Sequence, residues 1–151
     1  MKHALIAAVL GASTLLVCGS ALAQAKPEVL VKQRQAAMTL IGKYFGPLGG
    51  MAQGKVPYNA DTVKRNAGYL AALSKMPWDG FNASTQDVKS RALPAVYSDS
   101  AKFKDAASNF EAAVAKLASA AGSGDDEAIK GQIKAVSKTC GGCHNDFRQK
   151  N

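Results

Sequence analysis

The sequence predicts an all-α fold, an antiparallel four-helix bundle with a long crossover between helices 2 and 3. Apolar residues recur at three- and four-residue steps in four stretches, the spacing of amphipathic helices. No stretch sustains the alternation of apolar and polar residues that a half-buried strand shows. The connections between the four are short, long and short, and a bundle is the simplest way to bury four such stripes around one core.

The chain has 151 residues, enough for one compact domain once a targeting segment is set aside. Lys2 supplies a positive start, Ala4 to Val17 is an almost unbroken apolar run, and Ala21-Leu22-Ala23 has the form a signal peptidase accepts. The run is shorter than the roughly 20 apolar residues of a membrane-spanning helix, and nothing later approaches that length. The expectation is a cleaved signal peptide over 1–23, one domain over 24–151 delivered to the periplasm, and no membrane anchor. Cys18 also follows the apolar run, where an acylated lipoprotein cysteine would stand. Val17 precedes it where a small residue belongs, so Cys18 reads as filler in a discarded peptide.

The first helix is expected from Pro27, a favourable first-turn residue, to Leu48, with Leu30, Ala37, Met38, Ile41, Phe45 and Leu48 along one face. Gly46, Pro47, Gly49 and Gly50 are expected to end it. The second begins at Asn59 or Asp61, both good caps, carries Val63, Ala67, Leu70 and Leu73, and closes at Met76-Pro77. From Pro77 to Ser98, Gly80, Pro94 and several Ser, Asn and Asp residues mark the crossover, with room for a short helical turn; its length points to a functional or docking role. Asn82-Ala83-Ser84 has the form of a glycosylation acceptor and reads more simply as a turn. The third helix starts near Asp99 or Ser100, and Phe103, Ala107, Phe110, Val114, Leu117 and Ala121 give it a strict seven-residue repeat. Gly122-Ser123-Gly124 breaks the chain, and Asp125, Asp126 and Glu127 put negative charge at the positive end of the fourth helix. That helix carries the stripe Ile129, Ile133, Val136, Cys140, Cys143 and Phe147.

Beyond residue 23 two cysteines remain, and in an oxidising compartment paired thiols ordinarily become a disulfide unless other chemistry claims them. They stand in Cys140-Gly141-Gly142-Cys143-His144, the C-x-x-C-H pattern of covalent c-type haem attachment. Two thiols three residues apart on a helix can each add to one vinyl group of a porphyrin, and a histidine beside the second brings an imidazole under the iron. Gly141 and Gly142 are expected to keep the approach to the ring unobstructed, at some cost in helix propensity. A redox disulfide would be expected at the start of a helix in a fold with a sheet, and zinc wants four ligands where only Cys140, Cys143 and His144 are on offer. Chance is open to any five-residue pattern. The reading adopted is haem c, one per chain, covalent through Cys140 and Cys143.

His144 is the only histidine beyond residue 23, so it is the one imidazole available as axial iron ligand. Only seven residues follow it and none is Met. A sixth ligand would come from upstream, where Met38, Met51 and Met76 offer soft sulfur donors. With His144 committed to iron no Ser-His-Asp set is possible, the 11 acids are dispersed, and the glycines from Gly46 to Gly54 do not form a phosphate-binding loop. The chain therefore reads as a binding or carrier protein and not an enzyme. Its formal charge of +8 becomes +7 over 128 residues when residues 1–23 are removed, because Lys2 is lost and no acid. Such a charge steers acidic partners, a redox partner protein among them. It does not indicate nucleic acid: the basic residues are scattered and no aromatic-interleaved basic stripe is present.

The chain resembles the cytochrome c′ family, the class II c-type cytochromes, across essentially all of residues 24–151. The likeness is carried by Arg34-Gln35-Ala36-Ala37-Met38, Phe45-Gly46-Pro47, Pro57-Tyr58, Met76-Pro77-Trp78, Tyr97-Ser98-Asp99, and the terminal haem motif followed by Phe147 and Arg148. The resemblance implies a homodimer whose haem iron is usually five-coordinate, with an apolar distal pocket that admits nitric oxide and carbon monoxide. It places Arg34 and Gln35 among the haem-binding residues, with Arg34 beside a propionate; on charge alone Arg34 reads as a solvated cation. Met38 matches the distal side chain, and it has two readings: pocket lining, or sixth ligand as in low-spin relatives that carry electrons. Leu40, Ile41 and Phe45 are its neighbours on the first helix. An apolar distal face disfavours dioxygen, which gains from a hydrogen-bond donor. Arg148, four residues after His144, reads either as a residue beside the proximal face or as a cation complementing the helix dipole together with Lys150. The function expected is nitric oxide capture at an open iron site; the rivals are electron transport with Met38 on the iron, and a colourless thiol protein.

Overall fold

The computed structural model describes residues 25–150. The segment expected to be a signal peptide, with Cys18 and Ala21-Leu22-Ala23, lies outside the described residues. Five helices form: α1 (Pro27–Ala52), α2 (Ala60–Leu73), α3 (Ala95–Ser98), α4 (Ser100–Ala120) and α5 (Asp126–Phe147). No strand forms among the described residues. The four long helices make a closed ring, α1 against α2 and α5, and α4 against α2 and α5, which is the expected bundle. The crossover from α2 to α4 holds α3 and two 3-10 turns, Trp78–Gly80 and Ala83–Thr85.

Three helices start on side-chain caps that satisfy otherwise orphaned backbone donors. Thr62 N–H donates to Asn59 Oδ1 at 2.7 Å, Lys102 N–H to Asp99 Oδ1 at 3.4 Å, and Ala128 N–H to Asp125 Oδ1 at 2.9 Å. Asn82 accepts from Ser84 N–H at 3.0 Å, so Asn82-Ala83-Ser84 is a turn. The stripes meet in one main cluster that includes Leu48, Val63, Leu70, Val114, Ile133 and Val136. A smaller cluster of Val96, Phe103 and Phe147 lies toward the crossover, and Trp78 packs against both.

Helix α1 does not stop at Gly46, Pro47, Gly49 and Gly50; Pro47 lies inside it and the helix runs on to Ala52. An interior proline costs about 3 kcal/mol. Leu48 and Met51 lie beyond it at 0% and 8% exposure. Burying each contributes about 1.5–3 kcal/mol, so continuing the helix wins. The chain turns away at Gly54, whose φ of +70° is the left-handed backbone that glycine adopts without strain. Helix α2 ends at Leu73, three residues before Met76, with Ser74 as its C-cap.

Arg34 is not a solvated cation. It is 3% exposed, and its guanidinium gathers the crossover onto α1. Nη1 donates to Gly80 O, to Thr85 Oγ1 at 3.2 Å and to Tyr97 Oη at 3.2 Å, Nη2 donates to Ser90 Oγ at 2.9 Å, and the Phe81 ring lies 4.2 Å below. Gly80 permits this approach. A Cβ there would stand 2.8 Å from both Leu30 O and Arg34 Cβ.

At the other end of the crossover the chain pairs with the residues that follow α5. Arg148 is extended, with φ −124° and ψ 131°, and forms an antiparallel bridge with Ala92. Leu93 N–H donates to Phe147 O at 3.0 Å, Gln149 N–H to Arg91 O at 2.8 Å, and Arg91 Nη2 to Gln149 O at 2.8 Å.

The two glycine environments give opposite expectations. Gly80→Ala should lower stability by about 1–3 kcal/mol in urea denaturation, because the clash is partly with backbone. Gly131→Ala, on an exposed face of α5 where an added Cβ meets nothing within 4 Å, should raise it by about 0.5–1 kcal/mol. Equal effects would contradict the close approach at Gly80.

Candidate functional site

The buried stripe of α5 is interrupted where the chemistry-bearing residues lie. Ile129, Ile133 and Val136 are buried and so is Phe147, while Cys140 and Cys143 between them are only half-buried. Here the bundle opens into a cavity of about 700 Å³, within the range of small-molecule and cofactor sites. Helix α5 contributes Cys140, Cys143, His144 and Phe147 to its wall, and α1 contributes Arg34, Gln35, Met38, Ile41 and Phe45. The crossover adds Trp78, Phe81, Ser90, Arg91 and Ala92, and α4 adds Phe103 and Phe110.

Helical geometry brings Cys140, Cys143 and His144 to one side, since residues three and four apart share a face. Gly141 and Gly142 fall on the exposed side instead, and a Cβ at either meets no protein atom within 4 Å. Packing within the chain does not demand glycine at those two positions. No disulfide joins the two cysteines. Burial pushes the Cys140 thiol up, with Cys143 adding to it; burial also raises Cys143, with the Asp146 carboxylate adding. His144 moves down, first through burial and then through the positive charges of Arg148 and Arg91. The imidazole is thus favoured in its neutral form, the form that donates a lone pair to a metal. Among the described residues no group of three or more His, Cys, Asp or Glu side chains is arranged to hold a metal ion, so a zinc reading has no ligand set.

Of the three upstream methionines only Met38 lines the cavity; Met51 is buried in the main cluster and Met76 is 58% exposed. Ile41 and Phe45 line it as well, whereas Leu40 points to solvent. Arg148 reaches the cavity wall as the C-cap of α5: its N–H donates to His144 O at 3.2 Å, one turn back, and its extended backbone then bridges to Ala92.

No aspartate or glutamate lines the cavity, while three arginines do. Arg34 is buried among neutral acceptors with no carboxylate beside it. An apolar slot with cations at its edge, two thiols and a neutral imidazole fits a flat apolar macrocycle bearing carboxylates. Haem meets that description, and Cys140, Cys143, His144 and the three arginines are the residues on this wall that could hold it.

Sequence reasoning did not single out Trp78, Phe81, Ser90, Arg91, Phe103 or Phe110 as site residues. Phe103 and Phe110 were visible as core positions of a repeat, and they form the aromatic floor: Trp78 stands edge-on to both, with centroids 6.0 and 6.3 Å away, and Phe103 meets Phe147 edge-on at 5.2 Å. The crossover residues had only its length as a signal.

Known proteins match across the same span. A sequence model of the family described as Cytochrome C′ matches residues 29–148. A cytochrome c′ from Rubrivivax gelatinosus is 41% identical over 126 residues, covering 83% of this chain and 98% of the relative. The structure of cytochrome c prime from Shewanella frigidimarina superposes with a TM-score of 0.79 at 36% identity, over 82% of this chain and 97% of that one. A nitric oxide complex of a variant cytochrome c prime from Alcaligenes xylosoxidans gives a TM-score of 0.77 at 36% identity, over 84% and 98% of the two chains. The terminal C-x-x-C-H motif, the ring of four helices and likeness over nearly the full length of these relatives agree, and the chain belongs to the cytochrome c′ family of haem proteins.

Proposed function

We propose that the protein is a periplasmic c-type haem protein that captures nitric oxide at an open axial position and also takes carbon monoxide. The carrying observation is the apolar group that α1 and α4 turn toward the cavity: Met38, Ile41, Phe45 and Phe110 carry no side-chain hydrogen-bond donor or acid. Trp78 Nε1 is itself buried without a partner, shut in by neighbouring rings. Bound haem supplies an iron with two axial positions and a redox change of one electron. Cys140 and Cys143 would hold the group covalently and His144 would ligate its iron. Arg34, Gln35 and Arg148, on the same cavity wall, would bind the group's acidic edge. The apolar wall excludes water and withholds the hydrogen bond that dioxygen needs, which leaves nitric oxide and carbon monoxide as the diatomic ligands favoured. Met38, on the cavity wall, would restrict entry of a ligand, its flexible thioether filling an irregular gap. Binding and release, with no substrate turnover, is the activity this describes.

The leader pattern in residues 1–23 supports export to the periplasm. No helix among the described residues is long and apolar enough to cross a membrane. The protein also pairs as a homodimer, through the outward residues Val29 and Leu40 of α1 and Tyr69 of α2, which are large apolar or aromatic side chains left exposed by the monomer. The cationic charge suits exchange of electrons with an acidic redox partner protein.

Produced in a host with cytochrome maturation machinery, the periplasmic fraction should be red and keep its pigment through acid-acetone extraction. The ferrous protein should be high-spin and take up carbon monoxide. A six-coordinate, low-spin ferrous spectrum that resists carbon monoxide would show an electron carrier with Met38 on the iron, and a colourless product would end the haem reading. Met38→Ala should speed carbon monoxide association by about tenfold in flash photolysis, a barrier change of about 1.4 kcal/mol; an unchanged rate would remove Met38 from the pocket. Leu40→Glu should shift the sedimentation coefficient from dimer to monomer, and a monomeric parent would refute the pairing.

A further inference from the structure

We propose that Arg91 is a positioning cation that sets the reduction potential of the haem site, held in place by the antiparallel pairing of the crossover with the C-terminal tail. The proposal rests on the haem reading above. Arg91 stands on the cavity wall that also carries His144 and Cys143, although it is far from them in sequence. Three hydrogen bonds fix it there: its carbonyl accepts from Gln149 N–H at 2.8 Å, its guanidinium donates to Gln149 O at 2.8 Å, and two residues on Leu93 N–H donates to Phe147 O at 3.0 Å. The pairing grips the chain directly after α5, whose last turn holds His144. Backbone and side chain of Arg91 are thus both tied to the segment that carries the axial imidazole.

The charge of Arg91 is not cancelled locally. The ion pairs among the described residues are Lys102 with Asp146 at 2.9 Å and Lys130 with Glu127 at 2.7 Å, and neither involves Arg91. Asp146, the acid nearest in sequence to His144 on α5, is engaged by Lys102. Arg148 brings a second cation to the same wall. Ferric haem carries one more positive charge than ferrous haem, so a fixed cation on the wall that carries His144 would disfavour the ferric state and raise the potential. Arg91 is exposed, so solvent and salt screen the effect. A shift of about threefold in the ferric-to-ferrous ratio at fixed potential is the scale expected for a partly screened charge. One electron is taken from or returned to an external redox dye, and no bond in the protein is made or broken.

The test is a dye-mediated spectroelectrochemical titration of the haem-loaded protein and two variants at low and high ionic strength. Arg91→Gln removes the charge and should raise the ferric-to-ferrous ratio at fixed potential about threefold at low salt, with the difference shrinking at high salt. Arg91→Lys keeps the charge and shortens the tether, and should stay near the parent. If Gln and Lys shift the ratio equally, the residue acts through its hydrogen bond alone and the proposal falls; if neither shifts it, Arg91 does not set the potential. Amide hydrogen exchange at Leu93 and Gln149 reports separately whether the pairing survives. A protein without covalent haem overturns both this proposal and the function on which it rests, whereas a red protein insensitive to Arg91→Gln overturns this proposal alone.

Discussion

A guanidinium held inside the molecule with no carboxylate beside it is the constraint on which the binding cavity depends. Burying a cation is unfavourable unless its donors are satisfied, and Arg34 meets that demand by collecting Gly80, Thr85, Ser90 and Tyr97 from four points of the crossover. Hydrogen bonds to a charged group contribute about 1.5–3 kcal/mol each, so the knot organises a segment that has little regular structure of its own. Trp78, Phe81, Ser90 and Arg91 reach the cavity wall because the crossover is gathered there. Its acceptors are neutral, which leaves the charge uncompensated until an acidic group enters.

The four long helices were legible because periodicity is a local property of sequence. Phe103, Ala107, Phe110, Val114 and Leu117 all fall inside α4 as their repeat requires. The end of α1 was not legible, because Pro47 and its glycines are local signals while the burial of Leu48 and Met51 is a tertiary one, and the tertiary contribution is larger. The thiols and imidazole of α5 announced themselves by spacing alone. Arg34 announced a charge and nothing more, since its partners are 46 to 63 residues away and are hydroxyls and a backbone carbonyl, which leave no pattern beside it. Arg91 was invisible for the same reason, and Arg148 was visible through its place one turn after His144, whereas its extended backbone and bridge to Ala92 were not.

The stripe of α5 serves two purposes along one line. Ile129, Ile133 and Val136 close the core, and three or four residues on the same spacing delivers Cys140 and Cys143 to a gap in it. The aromatic residues that border the gap, Trp78, Phe103, Phe110 and Phe147, pack edge to face with one another and hold the walls apart without a polar frame. Rigidity at the mouth comes instead from the pairing of Arg91 to Leu93 with Phe147 to Gln149.

The walls of the cavity are drawn from nearly the whole chain, with Arg34 near one end and Arg148 near the other. Synthesis proceeds from the N-terminus, so α1 and the crossover emerge before the helix that carries the thiols has been made. Until α5 is complete, Met38, Phe45, Trp78 and Phe81 have no opposing surface and the greasy half-site is open to proteases and to self-association. A chain cut short within α5, ahead of Cys140, would lose Cys140, Cys143 and His144 together and leave the cavity without one of its walls.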